Sequence, residues 1–339
     1  MAHGDKPTSF DIAALAGVSQ PTVSRALRGD RTVSEATRER IERIARELNY
    51  TVDRAASSLR GGRSNTLAVL FFQDALPDGS HINPFFLSML GSLLMASAAR
   101  GFDMLSSFQQ LSSNWHTDFA DSRRADGIIL LGYGDWDGYR VQLEELVAQG
   151  THFVRWGGDG GDGQGTVVGC DNVAAGRMVG EHLIAQGRRR IAYVGKTHLH
   201  PEFRDRFLGL REALNAAGLP VEPGLHAESP STEARGYEAT RLLLARGLPF
   251  DAIFAGSDVI ALGALRALDE AGVSVPGDVA VVGFDDIPAA SMTRPPLTTV
   301  AQDYQRAGDA LVDALVRKIV GDDAGSVTLP ARLVVRASG

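Results

Sequence analysis

Cysteine is almost missing from this chain: Cys170 stands alone among 339 residues. One thiol excludes an internal disulfide framework and fits a reducing compartment. Long apolar runs are missing too. Nothing approaches the roughly 18 consecutive apolar residues of a membrane-spanning helix. The opening MAHGDKPTSF has no hydrophobic stretch of the kind a secretory leader needs. The expected location is the cytoplasm, with no membrane partner. A basic excess is also lacking, because the net charge is −7, which taken whole speaks against a nucleic-acid binder. Divided, the charge reads differently. Residues 1–63 hold 11 Lys and Arg against 8 Asp and Glu, and the remainder holds 23 against 33. That asymmetry suits a small DNA-reading head on an acidic body.

The most informative absence is local. Between Ser19 and Gly29 there is no acidic residue. This stretch belongs to SFDIAALAGVSQPTVSRALR, residues 9–28, in which two apolar patterns of helical period meet at a glycine. Ile12, Leu15 and Ala16 recur at i, i+3, i+4, and Val23, Ala26 and Leu27 repeat the spacing beyond Gly17 and Val18. Ser19 fits the N-cap of the second helix and Pro21 its first turn, where a missing N–H costs nothing. Two short helices about a Gly-containing turn make a helix-turn-helix or a helical hairpin in a core. The polar face favours the former. Gln20, Thr22, Ser24, Arg25 and Arg28 offer donors to base edges and phosphates. A solvated surface helix mixes both signs, whereas a helix entering the groove of a polyanion gains by avoiding carboxylates.

Ser34 then fits the N-cap of a third helix through about Asn49, with Ile41, Ile44, Ala45 and Leu48 as its apolar stripe. YTVDRAASSL, from Tyr50, allows a further short helix, and residues 61–64 read as a linker. From Asn65 the texture becomes strand–helix alternation, with short buried strands near 67–72, 103–107, 128–131, 152–156, 167–170, 191–194, 252–255 and 279–283. The ordinary composition, 44% hydrophobic and 22% charged, fits two or three well-cored domains. The fold class is therefore α/β: an N-terminal all-α helix-turn-helix head and a core of two doubly wound parallel sheets. Ligands in such sheets bind outside the carboxyl ends of the strands, so two facing lobes would hold a ligand between them.

Two other signals are set aside. Residues 158–163 match G-x-G-x-x-G but run into the strand-like Thr166–Val168 instead of opening a helix, so they read as a flexible interlobe loop. His198 and His200 with Glu202 fall in an expected loop without a third fixed ligand, so no metal is expected. No nucleophile–base signature stands out, and neither enzyme activity nor a cofactor is expected.

Taken in order, Asp11-Ile12-Ala13, Ala16-Gly17-Val18-Ser19, Thr22-Val23-Ser24-Arg25, Val33-Ser34, Leu48-Asn49-Tyr50, Asn83-Pro84-Phe85-Phe86, Asp126-Gly127, Asp171-Asn172, Gly283-Phe284-Asp285-Asp286 and Pro296 to Val300 resemble the LacI/GalR family of bacterial transcription regulators. The resemblance covers nearly the whole chain. It implies a head over residues 1–50, a hinge helix and linker over 51–64, and a periplasmic-binding-protein-like core over 65–339. On that reading the first lobe takes about 65–160 and 297–322, and the second about 166–284 and 328–339. The crossovers then fall near 157–166, 284–297 and 320–330. It further implies a homodimer on a pseudo-palindromic operator, a repressor function, and control by a small effector, a sugar or sugar acid, held between the lobes. No heptad repeat follows Arg332–Val335, so a dimer is expected rather than a tetramer.

Carried over by position, Gln20, Pro21 and Arg25 occupy base-reading places, while Thr8, Ser19, Thr22 and Ser24 would hold phosphates. Ser19 serves as cap alone or as cap and phosphate contact, and Arg28 meets phosphate or solvent. Tyr50, Ala56 and Leu59 belong to the hinge pattern, with Leu59 either wedging into a minor-groove step or packing in the linker. The hinge departs from the family: Val52 stands for Pro, Asp53 for Asn and Ser57 for Arg. In the core, Phe85 and Phe86 fall at effector contacts, although Phe86 suits the core equally. Arg206 and Asp285 carry the effector or form a structural ion pair, and Ser257 and Gln302 match further ligand positions. Asp258 fits the N-cap of the helix that follows it. Arg155, where an acidic residue is frequent, and Trp156 as a stacking plate suggest an anionic ligand such as a sugar acid. A periplasmic sugar-binding protein would explain the body but not the head, and an α/β enzyme would need a phosphate loop.

Overall fold

The protein is described by a computed structural model over residues 7–27, 29–50, 63–72, 82–132, 136–158, 163–198 and 200–339. The expectations for Arg28, Val52, Asp53, Ala56, Ser57 and Leu59 lie outside these residues. The chain divides into two compact units, Met1–Ser64 and Asn65–Gly339.

In the first unit, helix α1 (Ser9–Ala16) starts at a capping box. Thr8 N donates to Asp11 Oδ2 at 2.7 Å and Asp11 N donates back to Thr8 Oγ1 at 3.4 Å. The helix ends at Gly17, whose φ of 62° lies in the left-handed region that only glycine enters cheaply. Helices α2 (Gln20–Leu27) and α3 (Glu35–Glu47) follow, and Ser34 caps the latter through its contact with Thr37 N. Ile12, Ala13, Ala16, Val23, Ala26, Val33, Ile41, Ile44 and Ala45 form one small core, on which Tyr50 packs. Leu15 departs from expectation. It is 64% exposed, because the face that meets α2 and α3 runs through Ile12, Ala13 and Ala16 instead.

The second unit holds two six-stranded sheets. In order across the first lie β11 (Val327–Leu329), β5 (Thr166–Cys170), β4 (Phe153–Trp156), β3 (Gly127–Leu131), β1 (Thr66–Phe71) and β2 (Asp103–Phe108), all parallel. Across the second lie β12 (Ala331–Val334), β10 (Thr298–Gln302), β9 (Ala280–Asp285), β8 (Ala252–Ala255), β6 (Ile191–Val194) and β7 (His226–Ala227), with only β12 antiparallel. Side chains alternate between two apolar layers, as a sheet covered by helices on both faces requires. Leu67, Val69 and Phe71 face one layer, and Ala68 and Leu70 face the other. Among the described residues no helix is long and apolar enough to cross a membrane.

Strand pairing corrects the expected lobe boundaries. Strand β5 pairs with β4, so residues 157–166 connect neighbouring strands of one sheet, and the chain changes lobe after Cys170. Strand β10 pairs with β9, so residues 284–297 stay within the second lobe and 297–302 belong to it. The return comes after Gln302, where helix Tyr304–Ile319 packs on the first lobe. The third crossing falls at Pro330, between β11 and β12. Glycine and proline had marked loops, but the hydrogen-bond ladders, which composition does not reveal, decide which loops change sheets.

Helices Asn172–Ala185 and Pro201–Ala216 pack through glycines. A Cβ on Gly209 would fall 2.0 Å from Val173 O, and one on Gly176 would fall 2.0 Å from Arg206 O. Backbone cannot yield as a side-chain tip can. Gly209→Ala is therefore expected to cost about 2–3 kcal/mol and to lower Tm by on the order of 5 °C in differential scanning calorimetry.

Candidate functional site

Between the two lobes, at the carboxyl ends of their strands, lies a cavity of about 290 Å³. The lobes line it unequally. The first contributes Phe72 beyond β1, Phe85 and Phe86 from the start of helix Pro84–Ala99, and Trp156 at the end of β4, with Asn83 as its polar side chain. Phe85 lies 5.5 Å from Phe86 and 5.8 Å from Trp156 between ring centroids, so the aromatics form one tilted cluster. Gly132, at φ 73°, leaves room for it, since a Cβ there would sit 3.1 Å from the Phe86 ring. The second lobe contributes mainly polar groups, Lys196, His200, Glu202, Arg206, Ser231, Thr232, Ser257 and Asp285, beside Phe203 and Pro230, and Gln302 lies where the chain leaves it.

Arg206 is the organising group. It is buried, with Nε donating to Asn172 Oδ1 at 2.9 Å and Nη1 donating to Gly256 O. Its guanidinium carbon stands 3.6 Å over the Phe284 ring and 5.2 Å from that of Phe203. Asn172 is held in turn by donating to Cys170 O at the first crossing. Asp285 supplies the counter-charge and accepts from Gln302 Nε2 at 2.7 Å. Its φ of 114° is a backbone conformation that L-residues seldom adopt, and such strain concentrates at ligand sites. Burial pushes the Asp285 carboxyl up to about 6, even though Arg206 and the Gln302 hydrogen bond pull it down. Burial likewise lowers His200, which stands at the N-cap position of helix Pro201–Ala216 without a side-chain capping bond, and favours its uncharged form.

Two hydrogen bonds span the lobes beside the cavity. Gly158 N donates to Glu202 Oε1 at 2.8 Å, and Asn83 Nδ2 donates to Ser231 Oγ at 3.3 Å. Ser231 continues to Ser257, hydroxyl to hydroxyl, at 2.8 Å.

Phe85, Phe86, Trp156, Arg206, Ser257, Asp285 and Gln302 thus all line one cavity, with Phe86 on its wall as well as against the core. Arg155 does not. It is fully buried, donates to Gly158 O at 2.7 Å and Gln164 O at 3.2 Å, and lies over the Trp136 ring. Strand alternation explains this, since Trp156 faces the cavity and its neighbour faces the opposite side. Asp258 is not the cap either. Ser257 caps helix Asp258–Glu270, while Asp258 accepts from Thr299 Oγ1 and from Ile287 N at 2.9 Å, its carboxyl held well above the usual range by burial. Sequence reasoning missed Phe72, Asn83, Lys196, His200, Glu202, Phe203, Ser231 and Thr232 as lining groups. Glu202 and Arg206, four residues apart on one helix, were the available signal.

On the head, Pro21 and Arg25 are exposed, and Gln20, Thr22 and Ser24 are half-buried. Thr8 donates its hydroxyl hydrogen to Asp11 Oδ2 at 2.7 Å, so that proton serves the cap. Ser19 starts α2 through its carbonyl, which accepts from Thr22 N and Val23 N, and its hydroxyl meets that of Thr22 at 2.9 Å.

A three-helix head with an acid-free second helix, followed by a two-lobed core around a polar cavity, defines a ligand-responsive DNA-binding regulator. Residues 10–53 match the family described as bacterial regulatory proteins, lacI family, and residues 181–339 match a periplasmic binding protein-like domain. The HTH-type transcriptional regulator CelR of Thermobifida fusca is 34% identical over 345 residues, covering 100% of both chains. A solved transcriptional regulator CelR–cellobiose complex has a TM-score of 0.74 at 33% identity, over 98% of this chain and 100% of that one. The lac repressor dimer bound to operator and the anti-inducer ONPF has a TM-score of 0.83 at 26% identity, over 98% and 99%. The chain belongs to the lacI family of bacterial transcriptional regulators.

The raised Asp285 has a consequence for stability. An acid whose native pKa exceeds its unfolded value, near 3.9, holds its proton more tightly when folded. Its contribution is present at low pH and lost as pH rises from about 4 through about 6. Denaturation of the ligand-free protein between pH 4.5 and 7.5 should show the wild type losing about 2 kcal/mol relative to Asp285→Asn. A difference that stays flat over this range contradicts the raised value.

Proposed function

We propose that this protein is a repressor that acts in the cytoplasm as a homodimer on a pseudo-palindromic operator, and that a neutral sugar in the interlobe cavity controls its affinity for DNA. The observation that carries this reading is the cavity itself: aromatic faces on one side and a row of fixed hydrogen-bonding groups on the other. A pyranose has the same two aspects, a C–H face and a rim of hydroxyls. Charge favours a neutral ligand. Lys196 and Arg206 are matched by Glu202 and Asp285, and Arg155, the residue that suggested an anion, is turned away into the first lobe. Arg206 would donate to ligand oxygens and Asp285 would accept from hydroxyls, while Phe85 and Trp156 would stack. Cellobiose bound to a relative of the same fold supports the sugar class.

At the output end, Gln20, Pro21 and Arg25 would meet base edges, with Arg25 suited to the O6 and N7 of guanine. Thr22, Ser24 and Ser19 would fix register on phosphates. A dimer also has a ready surface. Leu87, Leu94 and Met95 leave an apolar stripe exposed along helix Pro84–Ala99, which a second copy would cover.

A gel shift of the full chain on DNA flanking its own gene, with neutral and acidic sugars, tests this reading. We expect binding that at least one neutral sugar changes by tenfold or more. Arg25→Ala should relax preference at one base position, and Thr22→Ala should weaken binding to all sequences alike. No shift at low salt overturns the DNA-binding reading, and a response to acidic sugars alone overturns the neutral ligand.

A further inference from the structure

We propose that Arg336, which does not line the cavity, is a positioning residue for Asp285: by holding Asp286 it keeps the backbone reversal that presents the Asp285 carboxyl group to the effector. The inference rests on the reading above that Asp285 accepts from ligand hydroxyls. Strand β9 ends at Asp285, and the chain doubles back at once. Thr299 is in register with Gly283, two residues before Asp285, and its Oγ1 donates to Asp258 Oδ1. The other oxygen of Asp258 accepts from Ile287 N at 2.9 Å. Ile287 has therefore returned to the level of Gly283, and Asp285 and Asp286 make the reversal.

That reversal is strained. Asp285 has φ 114° and Asp286 φ 52°, and neither is a glycine. The first value is one that L-residues seldom adopt, and the second is left-handed, where a Cβ crowds the backbone. Such backbone persists only where its surroundings over-determine it. Three side chains do so here. Gln302 donates to the Asp285 carboxyl group, Asp258 accepts from Ile287 N, and between them Arg336 Nη2 donates to Asp286 Oδ1 at 2.6 Å. Arg336 is itself fixed, since Nη1 donates to Leu297 O at 2.8 Å and its backbone N donates to Thr298 Oγ1 at 2.9 Å. The planar guanidinium thus spans two partners in a set geometry. With side chains 21% and 20% exposed, the Arg336–Asp286 pair is screened less than a surface ion pair. Gln302 lines the cavity and Asp258 is buried in the core, so Arg336 is the hold that acts on Asp285 from outside both.

The test is a double-mutant cycle on effector affinity. A panel of neutral sugars that includes cellobiose and ribose is titrated into the full chain by calorimetry. The tightest binder is carried through the variants, with the fold of each verified by circular dichroism. Arg336→Met should weaken that sugar by about tenfold in the wild-type background. In Asp285→Ala it should weaken it by less than about twofold, because a residue acting through Asp285 has nothing to act on once that group is gone. Asp286→Ala removes the same contact from its other end, should match Arg336→Met, and takes its place in the cycle if that variant does not fold. Asp286→Asn keeps an acceptor for Arg336 and tolerates left-handed backbone, so it should bind nearly as wild type does. Equal losses in both backgrounds make Arg336 a general support of the lobe and overturn its role. So does a folded Arg336→Met that lowers Tm but binds the sugar as wild type does. If Asp285→Ala binds as tightly as wild type, Asp285 is not a ligand group, and if no sugar in the panel binds, the sugar reading falls. In either case the role of Arg336 falls with it.

Discussion

A guanidinium taken out of water is the constraint on which the core depends. Burying a charge costs several kcal/mol unless it is paired and hydrogen-bonded. Around Arg206 the structure supplies the Asn172 amide, the Gly256 carbonyl, the Phe284 ring and the opposite charge of Asp285. Phe284 and Asp285 end β9, Gly256 follows β8 and Asn172 opens the helix after β5, so the arginine fixes two strand ends and the first crossing between lobes in one arrangement. Gly176 and Gly209 belong to the same construction, because only bare backbone lets the helix that carries Arg206 lie so close to its neighbour. Two donors of this planar fork are held within the second lobe, and the side chain still lines the cavity.

The division of chemistry between lobes follows from that arrangement. The second lobe is polar because it carries the arginine and its partners, and the first is aromatic because its strands end in Phe72 and Trp156. A ligand with one apolar face and one polar edge satisfies both lobes only when they are closed on it. The Glu202 contact with Gly158 N and the Asn83 contact with Ser231 already join them in that sense. Neither bond is part of an ion pair, so both can break and reform at modest cost.

Local elements were legible in the amino-acid sequence because they depend on neighbours a few residues away. The Ser34 cap, the turn at Gly17 and the strands β1 to β6, β8 and β9 stand within a residue or two of their expected places, while the two-residue β7 had no sequence signal. Seven of the eight expected effector residues line one cavity, since a strand's carboxyl end is a position that sequence can locate. What failed was non-local. The lobe of β5 and of β10 depends on which strand each pairs with, and the side to which Arg155 turns depends on the register of β4. Glu202 and Asn83 were passed over because their significance arises only when the second lobe meets the first. Asp258 looked like a cap because it follows a strand, yet the adjacent serine took that role and left the carboxylate buried.

Control of the head by the core turns on whether Arg206 binds the effector or only braces the lobe. Calorimetric titration of the active neutral sugar into wild type and Arg206→Ala, with the fold of each verified by circular dichroism, tests this directly. Binding by Arg206 predicts heat for the wild type, and at least a hundredfold loss of affinity for a folded Arg206→Ala. A folded Arg206→Ala that takes up the sugar as tightly as wild type would contradict that role.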